Sequence, residues 1–413
     1  MQMARRLKNR ESEKEVFALE NLFLNRAKQL EEEIRWNRRA VHSYAEVGLD
    51  LPQTTALVAE KLRSFGLDPQ PCGPGIVALV GKPAGTGKTF LLRADMDALP
   101  MREVTGLPFA ADNSNCHSCG HDCHTAMLLG AAKLLKEREA ELDGTVKLMF
   151  QPGEEQLAGA KAMVEAGVLE GPKVDAAMAI HLSVGLPDSY TGAVQYVRGT
   201  AANSGDMVRI TVKGFGTHGS TPQLGVDAIS VAAHIVVALE EVIAREVSTT
   251  EGSVMIVGKI EGGDTCNTVS GHCVMEASIR ATTHERREFL KKRIKEVAEG
   301  TAQVYRAEAE VEFVYGMPPL VNDADTCDEL AAYCAKVVPE KDVQAVPPSS
   351  GTEDFTYVAQ YVPSCYLNLG AGSIGEGHQC SMHNPGMVPE ESVLPTGAAL
   401  YAQCALDWLK AHK

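Results

Sequence analysis

The sequence predicts an α/β fold: a mostly parallel sheet covered by helices and interrupted by a smaller α+β insertion. Three observations carry this. Between Gly75 and Asp143, short apolar runs bounded by turn residues alternate with helical periodicity. Near Arg198 the pattern changes to strands of alternating polarity and two long helices. And 413 residues are too many for one ordinary core, so two domains are expected.

Taken in order, the segment up to about Val58 reads as a charged, amphipathic helical arm on the body, with Phe17, Leu22, Phe23, Leu30, Ile34 and Val41 set among Glu and Arg. Ile76–Val80 and Phe90–Leu92 read as buried strands. His124–Leu142 reads as a helix with His124, Leu128, Ala131 and Leu135 on one face. Val146–Phe150 is a strand ended by Gln151-Pro152-Gly153, and Ala176–Ile180 is another. Then come strand Val208–Lys213, helix Val226–Arg245, strands Val254–Ile260 and Val274–Ala281, helix Glu285–Val304 and strand Ala309–Val314. The order β-α-β-β-α-β is that of a split βαβ, ferredoxin-like unit. It places the body at residues 1–198 and 316–413, with the insertion at 199–315.

Composition narrows the function. Thirty-nine basic against 54 acidic residues give a net charge of −15. Nucleic acid and anionic membrane surfaces call for a basic footprint, so neither is an expected partner. The N-terminus lacks the apolar run of a secretory signal, and no stretch reaches the roughly 18 apolar residues of a membrane span. The eleven cysteines are odd in number and irregularly spaced, which suits reduced thiols in a cytoplasmic protein.

Metal chemistry is concentrated in Cys116-His117-Ser118-Cys119-Gly120-His121-Asp122-Cys123-His124. Thiolate and imidazole favour a transition metal. A closed structural zinc site needs a second ligand pair at short spacing, and none follows Cys116-x-x-Cys119. Cys119-x-x-x-Cys123 is not a redox Cys-x-x-Cys spacing. An open catalytic site instead needs ligands from other strand ends. Glu154-Glu155 follows Val146–Phe150, His181 follows Ala176–Ile180, and His383-Asn384-Pro385 lies near the C-terminus. Ligands of open α/β sheets gather beyond the carboxyl ends of strands. Of two adjacent glutamates there, one can bind metal while the other stays free as a base.

These residues lie within Leu92-Arg-Ala-Asp-Met-Asp-Ala-Leu-Pro100, Cys119-Gly-His-Asp-Cys-His-Thr125, Gln151-Pro-Gly-Glu-Glu155, Ala179-Ile-His181, Gly351-Thr-Glu-Asp-Phe355 and His383-Asn-Pro385. In motif and order the chain from about Glu31 resembles the M20 metallopeptidase and amidohydrolase family, especially its N-acyl-amino-acid, hippurate and auxin-conjugate amidohydrolases. The resemblance implies a mostly parallel-sheet metallohydrolase catalytic domain with an inserted ferredoxin-like lid and dimerisation domain. It implies two divalent metal ions on Cys119, His121, Glu155, His181 and His383. Zinc, manganese, cobalt and nickel all suit such mixed donors. Glu154 is implied as general base for a metal-activated water. Asp97 and Asp122 are implied as supports that orient imidazole rings.

From the lid, Gly214-Phe-Gly-Thr-His218-Gly-Ser-Thr-Pro222 resembles the family's histidine loop. His218 is thereby implied to stabilise the oxyanion, and Asn267 and Arg280 to receive a substrate carboxylate. The implied reaction is hydrolysis of the amide bond of an N-acyl amino acid, a small-molecule substrate, by a homodimer joined through the lid. A dipeptidase or carboxypeptidase of the family, or a silent metal-binding protein on the same scaffold, are the alternatives. Three positions depart from the family pattern: Ala45 stands where proline is usual, Gln223 where histidine is frequent, and Cys123 where alanine is common.

Overall fold

The computed structural model describes residues 21–248, 252–348 and 351–413; Phe17 lies outside them. The chain forms two compact units. One comprises residues up to Ala201 with Asn322–Pro347 and Tyr357–Lys413, and the other Ala202–Val321 with Pro348–Thr356.

The larger unit is built on an eight-stranded sheet in the order Gln70–Cys72, Gly75–Gly81, Thr145–Gln151, Thr89–Asp95, Ala176–Ser183, Ser364–Gly370, Val194–Tyr196, Val343–Ala345. Its four central strands, Thr145–Gln151 to Ser364–Gly370, are mutually parallel. Thr89–Asp95 and Thr145–Gln151 are buried along their whole lengths, as parallel strands covered on both faces must be. Helices His121–Glu137 and Leu394–Ala411 pack against each other and over Thr89–Asp95. Tyr401 fixes the second helix to the sheet: its hydroxyl donates to the Arg93 carbonyl at 2.7 Å and accepts from the Ile180 N–H at 2.9 Å.

The N-terminal arm differs from a continuous helical segment. It is three helices, Leu22–Gln29, Glu31–Tyr44 and Pro52–Ser64. Ala45 ends the second in a left-handed conformation, φ 39°, and Pro52 opens the third at its first turn. Phe23, Leu24, Leu30 and Ile34 lie in the main core, so the helical arm packs on the body as expected. The helix expected over His124–Leu142 spans His121–Glu137 and is followed by a separate turn, Glu139–Glu141. Gly120, at φ 85°, turns the chain into it, so His121 and Asp122 occupy its first turn.

The smaller unit is a four-stranded antiparallel sheet, order Ser253–Gly262, His272–Ala281, Gly205–Lys213, Glu308–Met317. Helix Ala228–Glu241 crosses from Gly205–Lys213 to the edge strand Ser253–Gly262, helix His284–Val304 crosses from His272–Ala281 to the other edge strand Glu308–Met317, and the two share the core through Ile235, Leu239, Leu290 and Ile294. This is the split βαβ arrangement. Asp227 and Thr283 cap the two helices by accepting N–H bonds of their first turns. The first helix ends at Glu241 in a π-turn, Val242–Glu246, short of Arg245 as a helical residue. Pro348–Thr356 belongs with this unit, where Asn203 N–H donates to the Gly351 carbonyl at 2.9 Å. A short ladder pairing Thr217–His218 with Thr268–Val269 had no signature in the sequence. No helix among the described residues is long and apolar enough to cross a membrane.

Candidate metal centre

Three parallel strands deliver the site at their carboxyl ends. Thr89–Asp95 runs into Met96 and Asp97, Thr145–Gln151 into Glu154 and Glu155, and Ala176–Ser183 carries His181. Cys119 and His121 arrive from the turn and helix beginning at Gly120. His383 comes from the C-terminal loop in a left-handed conformation, φ 62°, uncommon for a residue with a side chain. Its N–H donates to the Ser118 carbonyl at 2.8 Å, which ties the two loops.

The expected ligands come together. Donor atoms of Cys119, His121 and His181 lie within 4.8 Å of one another, and so do those of Cys119, Glu155 and His383. Cys119 Sγ is 3.5 Å from His181 Nε2, and His383 Nε2 is 3.3 Å from Glu155 Oε1. With bonds of about 2.3 Å to sulfur and 2.0–2.1 Å to nitrogen or oxygen, tetrahedral zinc puts S and N about 3.5 Å apart and N and O about 3.4 Å apart. The spacings fit. His121 Nε2 and Glu155 Oε1 are buried without a hydrogen bond, 3.9 Å from each other. Such atoms are costly unless something else coordinates them.

Ring orientation fits as well. His121 donates through Nδ1 to the Asp97 carbonyl at 2.8 Å, and His181 through Nδ1 to the Leu182 carbonyl at 2.6 Å. Each leaves Nε2, the atom that would ligate a metal, facing the cluster. The Asp97 carboxylate accepts the Glu154 N–H at 3.0 Å and the Glu155 N–H at 3.1 Å. It therefore sets the paired glutamates, and its main-chain carbonyl sets the imidazole. Glu154 Oε2 lies 4.0 Å from His121 Nε2.

Residues 91–407 match the profile of Peptidase family M20/M25/M40. The chain belongs to this family.

Among curated relatives, it is 33% identical over 377 residues to an N-acetyl-L-cysteine deacetylase of Bacillus subtilis, covering 90% of this chain and 87% of that one. A thermostable carboxypeptidase of Saccharolobus solfataricus is 34% identical, with 93% and 97% covered. Among solved structures, an aminohydrolase from methicillin-resistant Staphylococcus aureus superposes with TM-score 0.88 at 31% identity, over 94% of this chain and 99% of that one. A dinuclear metal-binding M20 peptidase of Bacillus subtilis gives TM-score 0.78 at 28% identity, over 93% and 99%. As an M20 member the chain is a hydrolase of amide or peptide bonds.

Electrostatics distinguish the M20 site from its surroundings. Burial pushes the Cys119 thiol well up. Burial opposes charge on His121 too, but Asp95 and Cys119 outweigh it and raise its proton affinity. A cation binding here displaces those protons, so occupancy falls with acid. Burial raises and His383 and His121 lower the Glu155 carboxyl, with a net downward shift.

The rest of the nine-residue run turns elsewhere. His124 donates to Asp95 Oδ1 at 2.5 Å and accepts the Leu182 N–H at 2.8 Å; burial drives its pKa down to about 3. It is a neutral brace between strand ends. Asp95 was missed from the sequence. It is fully buried, takes Arg93 Nη1 at 2.7 Å and faces His121 Nε2 at 3.7 Å. The only hint was its alternation with Asp97, which places both on one face at a strand end. Asp122 does not orient a ligand imidazole: its Oδ2 accepts from Arg38 at 2.6 Å and from His42 at 2.8 Å. The Cys123 thiol is buried beside the Arg38 guanidinium.

His218, Asn267 and Arg280 lie on the smaller unit. His218 and Asn267 are neighbours across the short ladder, with Gly219 N–H donating to the Asn267 carbonyl at 2.8 Å; both side chains are exposed. Arg280 is half-buried on strand His272–Ala281, opposite Val254.

Proposed function

We propose that the chain is a metal-dependent amidohydrolase that splits N-acyl amino acids into acid and amino acid. One observation carries the reading: adjacent glutamates share the Asp97 anchor, with Glu155 in a ligand triad and Glu154 facing His121. Cys119, His121, Glu155, His181 and His383 would hold two divalent ions of the zinc, manganese, cobalt or nickel type. The chemistry such ions supply is acidification of water and neutralisation of charge growing on a carbonyl oxygen.

The chain's own groups move the proton and hold the substrate. Glu154 takes a proton from the attacking water and returns it to the leaving amine. His218 accepts the Ser220 N–H at Nδ1, 3.1 Å, so a neutral ring carries its proton on exposed Nε2, a donor for an oxyanion. Asn267 Oδ1 is occupied by the Thr265 hydroxyl at 2.8 Å, which leaves the amide N–H groups for a substrate carboxylate, together with Arg280. A Bacillus relative named an N-acetyl-L-cysteine deacetylase, 33% identical over 90% of this chain, supports the substrate class.

The smaller unit is the surface for a homodimer. Its edge strand Ser253–Gly262 exposes Val254, Ile256 and Ile260 at 50%, 56% and 51%. Eleven unbridged thiols fit a reducing, cytoplasmic setting.

The test is hydrolysis of a panel of N-acyl amino acids and free dipeptides by metal-loaded parent and Glu154→Gln. We expect kcat on acyl substrates to fall about 100- to 10,000-fold with metal content intact. Full activity in Glu154→Gln removes the assigned base, and preference for free dipeptides replaces the acyl-amino-acid reading with a dipeptidase.

A further inference from the structure

His42 lies in the last turn of helix Glu31–Tyr44, outside the metal cluster, and the reaction as described does not use it. Its side chain is 2% exposed. Nδ1 lies 2.8 Å from Asp122 Oδ2 and Nε2 lies 3.0 Å from Glu103 Oε2. A carboxylate accepts only, so both ring nitrogens donate and the imidazole is held between two acceptors. Arg38, His117 and Phe109 complete its surroundings: Arg38 Nη2 at 3.5 Å from Nδ1, and the His117 and Phe109 rings centred at 5.8 and 5.3 Å.

The two carboxylates lead to opposite sides of the metal cluster. Asp122 directly follows His121. Glu103 precedes Val104, whose N–H donates to the Pro385 carbonyl at 3.0 Å, two residues beyond His383. His121 and His383 are the rings that flank Glu155 Oε1, at 3.9 and 3.3 Å. Arg38 does not offer the same connection: it holds Asp122 and Glu391. Glu103 also accepts from the Thr105 hydroxyl on Oε1 and from the Ala111 N–H on Oε2, so it is a fixed anchor for His42.

We propose that His42 is a positioning residue, a clamp between Asp122 and Glu103 that sets the separation of His121 from His383 and so the capacity of the site to hold its second ion. The proposal rests on the metal-site reading above. Without the clamp, the contact of Val104 with Pro385 loses its support and His383 is held in place only by its N–H bond to the Ser118 carbonyl, whereas His121 and His181 keep their own anchors. Loss of His42 therefore weakens one metal equivalent more than the other, which general destabilisation does not do.

The experiment is cobalt(II) titration of metal-free parent, His42→Gln and Glu391→Gln, followed by equilibrium binding and by the thiolate-to-cobalt absorption of Cys119. Glutamine can donate to one carboxylate but not to both. We expect His42→Gln to keep the first equivalent and its thiolate band while the second weakens about 10- to 100-fold. Glu391→Gln, which loosens Arg38 and Arg39 on the far side of the network, keeps both equivalents. Identical affinities in parent and His42→Gln, or equal weakening in Glu391→Gln, overturn the clamp and leave the metal reading intact. A parent with no thiolate band overturns both. Should His42→Gln fail to fold, Glu103→Gln removes the charge at the other end of the clamp, and two unaltered equivalents there reject the proposal.

Discussion

Replacing Asp97 by asparagine changes one atom in a buried position and cuts the support of both glutamates. The carboxylate accepts the Glu154 and Glu155 N–H groups at 3.0 and 3.1 Å, one on each oxygen. Asparagine has one carbonyl oxygen, so an N–H2 must face one of those donors. A hydrogen bond to a charged group contributes about 1.5–3 kcal/mol, and the surviving bond falls to neutral strength, a further loss of about 1 kcal/mol. The sum is about 3 kcal/mol with no cavity and no change of shape. Thermal unfolding of the metal-free protein should shift down by roughly 6–12 °C, at about 2–4 °C per kcal/mol. Because the same bonds aim the Gln151–Glu155 turn, metal affinity should fall about 10- to 100-fold. Melting and calorimetric metal titration of parent and Asp97→Asn measure both. A superposable melting curve together with unaltered metal affinity would refute the argument that this carboxylate sets the turn.

Three further outcomes are expected. Burial holds His117 at a pKa of about 3, against about 6.5 for the unfolded chain. The unfolded state therefore binds a proton below pH 6.5 that the folded state refuses, and stability falls from pH 6.5 towards 3 by on the order of 5 kcal/mol for this group. His117→Phe should flatten that limb in denaturant titrations across pH, and an unchanged slope would show that His117 does not govern it. Lys147, on a central strand, donates from Nζ to the carbonyls of Val168, Glu170 and Pro172 at 2.9, 2.6 and 2.9 Å. Lys147→Met strands these acceptors and should cost about 2–4 kcal/mol by urea unfolding; an equal midpoint would contradict the accounting. In native protein a maleimide should label exposed Cys266 quickly and half-buried Cys380 slowly, leaving the nine buried thiols until denaturation. Rapid labelling of Cys327 or Cys365 would mean that their core opens.

The strands were legible because their signals are local. Val146–Phe150 and Val208–Lys213 announce themselves by runs and alternation, and only their ends moved, to Thr145–Gln151 and Gly205–Lys213. The N-terminal arm was read less well, since its break at Ala45 comes from a left-handed residue that periodicity does not encode. The pairing of His218 with Thr268 was hidden, because two-residue ladders have no pattern of their own.

By itself, the sequence determined the donor types and the places of Glu154, Glu155 and His181 after strand ends, and its family resemblance added Cys119, His121 and His383. Only the tertiary structure decided what the other members of the nine-residue run do: His124 braces Asp95 against the Leu182 N–H, and Asp122 turns to Arg38 and His42. It also brought in Asp95 and made Asp97 the anchor of the glutamate pair. The reason is range: coordination and hydrogen bonding act over 2 to 4 Å in space, between residues here up to 264 positions apart, as Cys119–His383 pairing at the metal centre requires. A linear pattern records which groups are available, and the packing of strands and helices sets the distances between them.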